Sequence, residues 1–224
     1  MSDMENKALT TLQLVAKRLG IPEDKIEDTT EPDGSIHKAK MFDGRYLIYT
    51  WCVPEETFAT VLINDAYTSV GCSLGSYIET EASLDRIISA IKEFRDTPEE
   101  STAYMTGQVY EALFLEGMVS DIPRSDEKGV GYLELGYTKV VSAKGKGVDI
   151  TICIVVTLKK LGSLEYQISY SDPHRSTEIV KAEDYKSLCG AIVSKIRDAY
   201  QLSKQGLDPV VQSLTYEKEE CSHG

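Results

Sequence analysis

The densest group of reactive side chains lies in residues 171–176, which read SDPHRS. There Asp172, His174 and Arg175 bring a carboxylate, an imidazole and a guanidinium close together along the chain. Such groups can bind an anion or transfer a proton when a fold holds them around a substrate. Asp followed by Pro is also typical of a tight turn, because Asp accepts hydrogen bonds from its own backbone and Pro fixes φ. We therefore interpret SDPHRS first as a hairpin turn, and second as the place to look for a function.

Other signatures of catalysis and metal binding have little support in the sequence. There is no phosphate-binding GxxxxGKS/T loop, no GxGxxG after a strand and no HExxH. Residues 71–75, GCSLG, have the spacing of GxSxG, but no helix is predicted to start at the end of VGCSLGS, residues 70–76, so we interpret this stretch as a loop or bulged strand. The five cysteines include no CxxC pair, and the three histidines are too scattered for a histidine-based metal site. We therefore predict no catalytic residue, no metal site and no cofactor.

A second set of candidates is aromatic, because Tyr49 and Trp51 lie on the same side of the predicted strand 45–53. Aromatic strand residues usually pack beneath helices, so we favour a position in the core. The alternative is a contact patch on an open sheet face, where they would bind a protein partner. Both sides of this strand are apolar, so we expect the sheet to be covered on both faces. Tyr49 and Trp51, together with His174 and Arg175, are the candidate binding residues.

The balance of charge restricts the partners. The chain has 24 Lys and Arg against 36 Asp and Glu, a net charge of −12, which argues against nucleic acid and anionic membranes. Much of the acidic excess lies in residues 22–34, PEDKIEDTTEPDG, which we interpret as a solvated loop. The alternatives are an acidic surface that attracts a basic partner, and a mimic of nucleic-acid charge. The sequence has no apolar run of about 18 residues and no signal-peptide pattern, so we expect a cytoplasmic location.

The elements that must position these groups occur in the same order in both halves of the chain. Helical periodicity predicts helices at residues 8–19, 82–96, 103–116 and 183–201. Alternation predicts strands at residues 36–42, 45–53, 57–64, 67–78, 130–142, 148–159, 164–171 and 177–181. We therefore predict an α+β fold of two tandem helix–antiparallel sheet–helix units, a duplicated domain with helices on one side of each sheet.

The boundary between the units is predicted at the segment TPEEST, residues 97–102, because Pro98 ends the preceding helix. This gives an N-terminal unit at 1–98 and a C-terminal unit at 99–202. Residues 203–224 follow as a tail that we expect to be flexible unless it docks on the body or on a partner.

Turn residues predict one hairpin in the first half and a pair of matching corners, one in each half. Asp43-Gly44 predicts a type I′ hairpin turn, which requires positive φ at both central positions. Matching the halves by element order places Asp65 and Asp172 at the same corner. His174 and Arg175 then have no counterpart in the first half, so a function gained by the second unit would lie at this turn.

Element order and acidity resemble those of the small acidic secretion-chaperone-like folds, which act as binding platforms and often pair as dimers. The acidity, the missing catalytic signatures and the repeated unit lead us to expect a non-enzymatic intracellular protein-binding module, such as an adaptor, chaperone or inhibitor of cellular or viral origin. Its partner would be another protein, basic in charge, and a homodimer also fits. Two alternatives stay open: an enzyme or small-molecule-binding domain with a site between the units near Asp172, His174 and Arg175, and a structural component of an assembly.

Overall fold

The computed structural model describes residues 6–119, 121–126, 128–143, 146–172 and 175–216. Within these residues the chain forms four α-helices, one 3₁₀ turn and ten β-strands, so the predicted α+β class is confirmed. The helices are α1 Lys7–Leu19, α2 Glu81–Asp96, α3 Thr102–Phe114 and α4 Tyr185–Tyr216, and the 3₁₀ turn is Glu23–Lys25. The strands are β1 Ile26–Asp28, β2 His37–Asp43, β3 Tyr46–Cys52, β4 Ala59–Asp65, β5 Gly71–Tyr77, β6 Arg124–Ser125, β7 Val130–Ala143, β8 Lys146–Gly162, β9 Glu165–Tyr170 and β10 Glu178–Lys181.

The strands form one continuous sheet in which each strand pairs with its neighbours in the chain. The described pairs are antiparallel except β5 with β6, which run parallel where Ser73 lies opposite Arg124. We call this junction the seam, and there the Ser73 N–H also donates to the Pro123 carbonyl at 2.8 Å. The prediction of a separate sheet for each half is therefore wrong. Alternation could not reveal β6, since a strand of two residues shows no period.

Helix α1 shows how the local sequence fixes an element. The Asn6 side chain accepts a hydrogen bond from the Leu9 N–H and so caps the N-terminus. Gly20 ends the helix in the left-handed conformation, with φ of 73°, which glycine adopts without steric cost. Between these ends, Leu12 is fully buried. The helix predicted at residues 8–19 is confirmed to within one residue.

The first hairpin differs from its predicted form by one position. Asp43 pairs with Tyr46, so the central residues of the turn are Gly44 and Arg45. Gly44 has φ of 64°, whereas Arg45 is not among the described residues with positive φ. This is the type II′ pattern, with glycine at the first central position, and not the predicted type I′. Glycine adopts the positive φ at the first position without steric cost, and the second position has a negative φ, which a residue with a long side chain such as Arg45 can adopt.

Most of the buried side chains form two large clusters that meet along α3, and Ala8, Cys52 and Ala59 form a separate small one. One cluster joins inward residues of β2–β5 to α1 and α2, and the other joins those of β7–β10 to α3 and α4. Helix α3 contributes Tyr104 to the first cluster and Met105 to the second, and Tyr185 of α4 packs against both. Because burial of apolar surface is the dominant favourable term in folding, these shared residues couple the two halves.

Two glycines allow α3 to approach the sheet at the seam. A Cβ atom on Gly107 would lie 2.7 Å from the carbonyl oxygen of Gly71 and 2.9 Å from Cγ1 of Val70. Gly131 of β7 faces Thr106 with a similarly small clearance. Since neither glycine carries a side chain, α3 contacts both β5 and β7 and bridges the seam.

Helix α4 is longer than predicted. It begins at Tyr185 and runs to Tyr216, so it passes through the predicted boundary at residue 202. The predicted tail is therefore helical as far as Tyr216, because the Gly and Pro in this stretch weaken a helix without always ending it. Residues 217–224 lie outside the described residues. In the part that is described, no helix is both long and apolar enough to cross a membrane.

Candidate binding surface and cleft on the open side of the sheet

The outward side of β2–β4 carries large apolar side chains, which we call the aromatic face: Phe42, Leu47, Tyr49, Trp51 and Leu62. Buried and accessible residues alternate along β3, and its inward residues pack under α1 and α2. In contrast, 37% of Trp51 and 47% of Phe42 remain exposed. In the described part of the chain, no helix packs against this side of these strands. The core position favoured for Tyr49 and Trp51, and the second covering layer, are therefore wrong, because alternation separates two sides without showing which one is covered.

The strand register sets the neighbours of these two aromatic residues. Trp51 and Tyr49 lie opposite two lysines of β2. Each lysine is paired with an acid of the preceding segment, which removes most of the net charge from this edge of the face. The ion pairs are Lys38–Glu31 and Lys40–Glu27. The aromatic face therefore offers mainly apolar contact.

The outward side of β7–β9 has a different character. Its polar side chains, which we call the polar face, are Tyr132, Glu134, Thr157, Gln167 and Ser169. Val155 lies opposite Glu134, and Ile179 of β10, which is 59% exposed, lies opposite Gln167, so single apolar side chains occur on this side too. Thr157 lies between Tyr132 and Ser169 across the strands, and Gln167 Nε2 donates to Ser169 Oγ at 3.3 Å. Such groups can form hydrogen bonds with one another and with solvent, as is usual for the solvated side of an antiparallel sheet.

At the seam, the aromatic face borders a cleft of about 750 Å³, which we call the seam cleft. It is lined by residues of β3–β5, α2 and the segment 122–132, among them Trp51, Leu62, Ser73, Arg86, Arg124 and Tyr132. Strands β5 and β6 pair at a single position, Ser73 with Arg124, and both of these residues line the cleft. No local signal in the sequence could reveal this cleft, because its walls come from distant segments that only the parallel pairing brings together.

Arg86 on α2 is held at the cleft by an irregular part of β5. Its Nη1 donates to the Leu74 carbonyl and its Nη2 to the Ser76 carbonyl, each at 3.0 Å. Between them, Gly75 has φ of 96°, and a Cβ there would lie 2.9 Å from Arg86 Nη1. The register shift between β4 and β5 at this point marks a β-bulge, which turns both carbonyls toward the guanidinium. Carbonyls are neutral acceptors, so Arg86 keeps its positive charge.

Asp126 organises the other wall of the cleft. Its Oδ1 accepts from the N–H groups of Lys128 and Val130 at 2.8 and 2.9 Å, and its Oδ2 accepts from the Tyr132 hydroxyl at 2.8 Å. Burial by itself would raise the pKa of Asp126, but these hydrogen bonds outweigh it and lower the pKa. The same carboxylate raises the pKa of Tyr132. Asp126 therefore positions the loop and the Tyr132 ring.

The segment SDPHRS lies between β9 and β10, which are antiparallel neighbours, as a hairpin turn requires. Arg175 Nη2 donates to the Ala199 carbonyl at 2.5 Å and to Ser203 Oγ at 2.8 Å, and its Nε lies 3.2 Å from Asp172 Oδ2. These contacts fasten the turn to α4. The structure thus brings Asp172 and Arg175 together, while His174 lies outside the described residues.

The first half has an ion pair of its own at the matching corner. Asp65 at the end of β4 is fully buried, and its Oδ2 lies 2.7 Å from Nη2 of Arg45. Each corner also places its guanidinium over a tyrosine ring, at 5.0 Å from the Tyr46 centroid and 5.6 Å from the Tyr170 centroid. Sequence matching missed this likeness, because Arg45 comes from the β2–β3 turn and not from the corner itself.

The chain matches no protein-family model, and no curated protein or solved structure shows significant similarity to it. Among the described residues, no group of three or more His, Cys, Asp or Glu side chains is placed to hold a metal ion.

Proposed function

We propose that the protein is a non-enzymatic protein-binding module and that the aromatic face is its docking surface. The observation that carries this proposal is an uncovered sheet side that exposes Phe42 and Trp51 beside Tyr49. Contiguous exposed apolar side chains mark interaction surfaces in soluble proteins, and aromatic residues supply a large share of binding energy there. The sheet holds these side chains on a rigid backbone, which lowers the entropic cost of binding.

The partner proposed is a protein of net positive charge that presents apolar side chains to this face. The lysines beside the face are already neutralised by acids, so the contact itself is apolar. The net charge of −12 acts over a longer range and favours encounter with a basic protein. Cys52 and Cys72 are free and buried, which suits the reducing cytoplasm proposed as the location.

A capture experiment with matched variants tests this proposal. The tagged full-length chain, the variant Phe42→Ser/Tyr49→Ser and the control Thr157→Ser/Gln167→Ser are incubated with lysate from the native source, and bound proteins are quantified by mass spectrometry. Hot-spot aromatic residues contribute about 1.4 kcal/mol or more, so we expect at least a tenfold loss of the partner with the first variant only. Neither altered residue of that variant lines the seam cleft.

Equal recovery of every captured protein by the two variants would rule out the aromatic face as the docking surface. Light scattering of the purified chain separates this proposal from self-association. A dimer that dissociates in Phe42→Ser/Tyr49→Ser but persists in the control would assign the face to a second copy of the chain.

We also propose that the chain arose by duplication of a single helix–strands–helix unit. The element order α1, β1–β5, α2 and then α3, β6–β10, α4 supports this, as do the ion pairs at Asp65 and Asp172. A related chain that contains one unit alone would strengthen the proposal.

A further inference from the structure

We propose that the seam cleft is a binding site for a small organic anion, with a carboxylate or phosphate group held by Arg86, Arg124 and Lys128 and an apolar body against Trp51 and Leu62. The proposal concerns a second site and does not depend on the aromatic face binding a protein.

The charge of the cleft contrasts with that of the chain. Three cationic side chains line it in a protein whose net charge is −12. The Arg86 guanidinium donates to two backbone carbonyls, which carry no charge to offset its own. Arg124 forms an exposed ion pair, in which its Nη2 lies 3.1 Å from Oε1 of Glu134. The lining carboxylate, Asp126, already accepts three hydrogen bonds. Three cations and one carboxylate therefore line the cleft, and an oxyanion that enters it can form charge-assisted hydrogen bonds with the cations.

Two serine hydroxyl groups add hydrogen-bonding capacity to the cleft. Ser73 is 6% exposed and Ser125 is 8% exposed, and both line the cleft. Neither hydroxyl oxygen is among the fully enclosed polar atoms that lack a partner in the described residues, so a ligand in the cleft can reach both. A hydroxyl donates one hydrogen bond and accepts two. Both serines flank the seam, so a bound oxyanion could accept from them and from the cations together.

The size and the apolar wall of the cleft indicate more than a bare inorganic ion. A volume of about 750 Å³ falls within the range of small-molecule sites. Trp51, Leu62 and Ile122 form an apolar part of the lining. A ligand that places an aromatic or aliphatic body there removes this surface from water, while its charged end faces the cations.

Titration followed by NMR provides the test, because Trp51 is the single tryptophan and gives one indole N–H signal. The full chain is titrated with phenyl phosphate, benzoate, inorganic phosphate and the neutral analogue benzyl alcohol. We expect a saturable shift of the Trp51 signal with phenyl phosphate or benzoate, and the stronger of the two identifies the charged group as phosphate or carboxylate. Inorganic phosphate should bind at least several-fold more weakly, because it leaves the apolar wall unused.

Matched charge variants complete the experiment. Arg124→Gln/Lys128→Gln should lower the affinity at least tenfold, whereas Arg197→Gln/Lys195→Gln, which removes two exposed cations of α4, should leave it unchanged within about twofold. Ser73→Ala should weaken binding several-fold without altering the net charge. Absence of a saturable shift with both organic anions, equal binding of benzyl alcohol, or equal affinity of the two charge variants would overturn the proposal.

Discussion

The two halves of the sheet differ most on the side that faces away from the helices. In the first half this side is the aromatic face, and in the second it is the polar face, although the inward residues of both halves are similarly apolar. Inward residues must fit the packed helices, so their character is constrained. Outward residues carry no such constraint and can change with little effect on folding. The difference supports the proposal that the docking surface lies in the first half.

The largest expected losses in the free energy of unfolding test which side of the sheet packs against the helices in each half. Ile48→Ala in β3 and Ile168→Ala in β9 remove fully buried side chains, and each should lower the free energy of unfolding by about 3–4 kcal/mol. Trp51→Ala removes a larger but accessible side chain and should cost only about 1 kcal/mol. Chemical denaturation measures all three variants. A cost for Trp51→Ala equal to that for Ile48→Ala would show that the aromatic face is covered, and the contrast between the halves would be lost.

A smaller effect tests whether α3 joins the halves at the seam. Gly107→Ala inserts a Cβ at 2.7 Å from the Gly71 carbonyl oxygen, so we expect a loss of about 2–3 kcal/mol. Gly190→Ala in α4 is the control, because no atom lies within 4 Å of its added Cβ, and it should stabilise by up to about 1 kcal/mol. If both substitutions stabilise the protein equally, α3 does not approach the sheet closely, and the halves need not share one core.

The smallest difference concerns the two corners. Asp65→Asn leaves Arg45 beside a fully buried neutral side chain and should cost about 2 kcal/mol, less than for a completely buried pair because Arg45 is partly exposed. Asp172→Asn should cost about 1 kcal/mol, since Arg175 keeps its hydrogen bonds to α4. Thermal unfolding of both variants beside the unaltered chain measures the difference. A larger loss for Asp172→Asn would reverse the ranking and give the second corner the greater structural weight.

Local patterns were sufficient for the elements themselves. The period of α1 with its Gly20 stop, and the alternation of β3 and β8, placed these elements to within a few residues because the signals lie in consecutive side chains. The same patterns missed β6, which is too short to show a period. They also placed the end of α4 too early, because glycine and proline suggested that the helix stops there. The candidate site was predicted only in part: Tyr49 and Trp51 were chosen correctly as a same-side pair, but the side was assigned to the core.

The sequence by itself determined the α+β class, the order of the longer helices and strands, the net negative charge and the division of strand side chains between two sides. These follow from residue types and short-range periods, which hold whatever the rest of the chain does. Only the tertiary structure decided that one sheet runs through both halves and that Arg86 and Arg124 line the same cleft. It also decided that, in the described part of the chain, no helix covers the aromatic face. Those outcomes depend on the single parallel pairing of β5 with β6, a contact between segments far apart in the chain that no local pattern records.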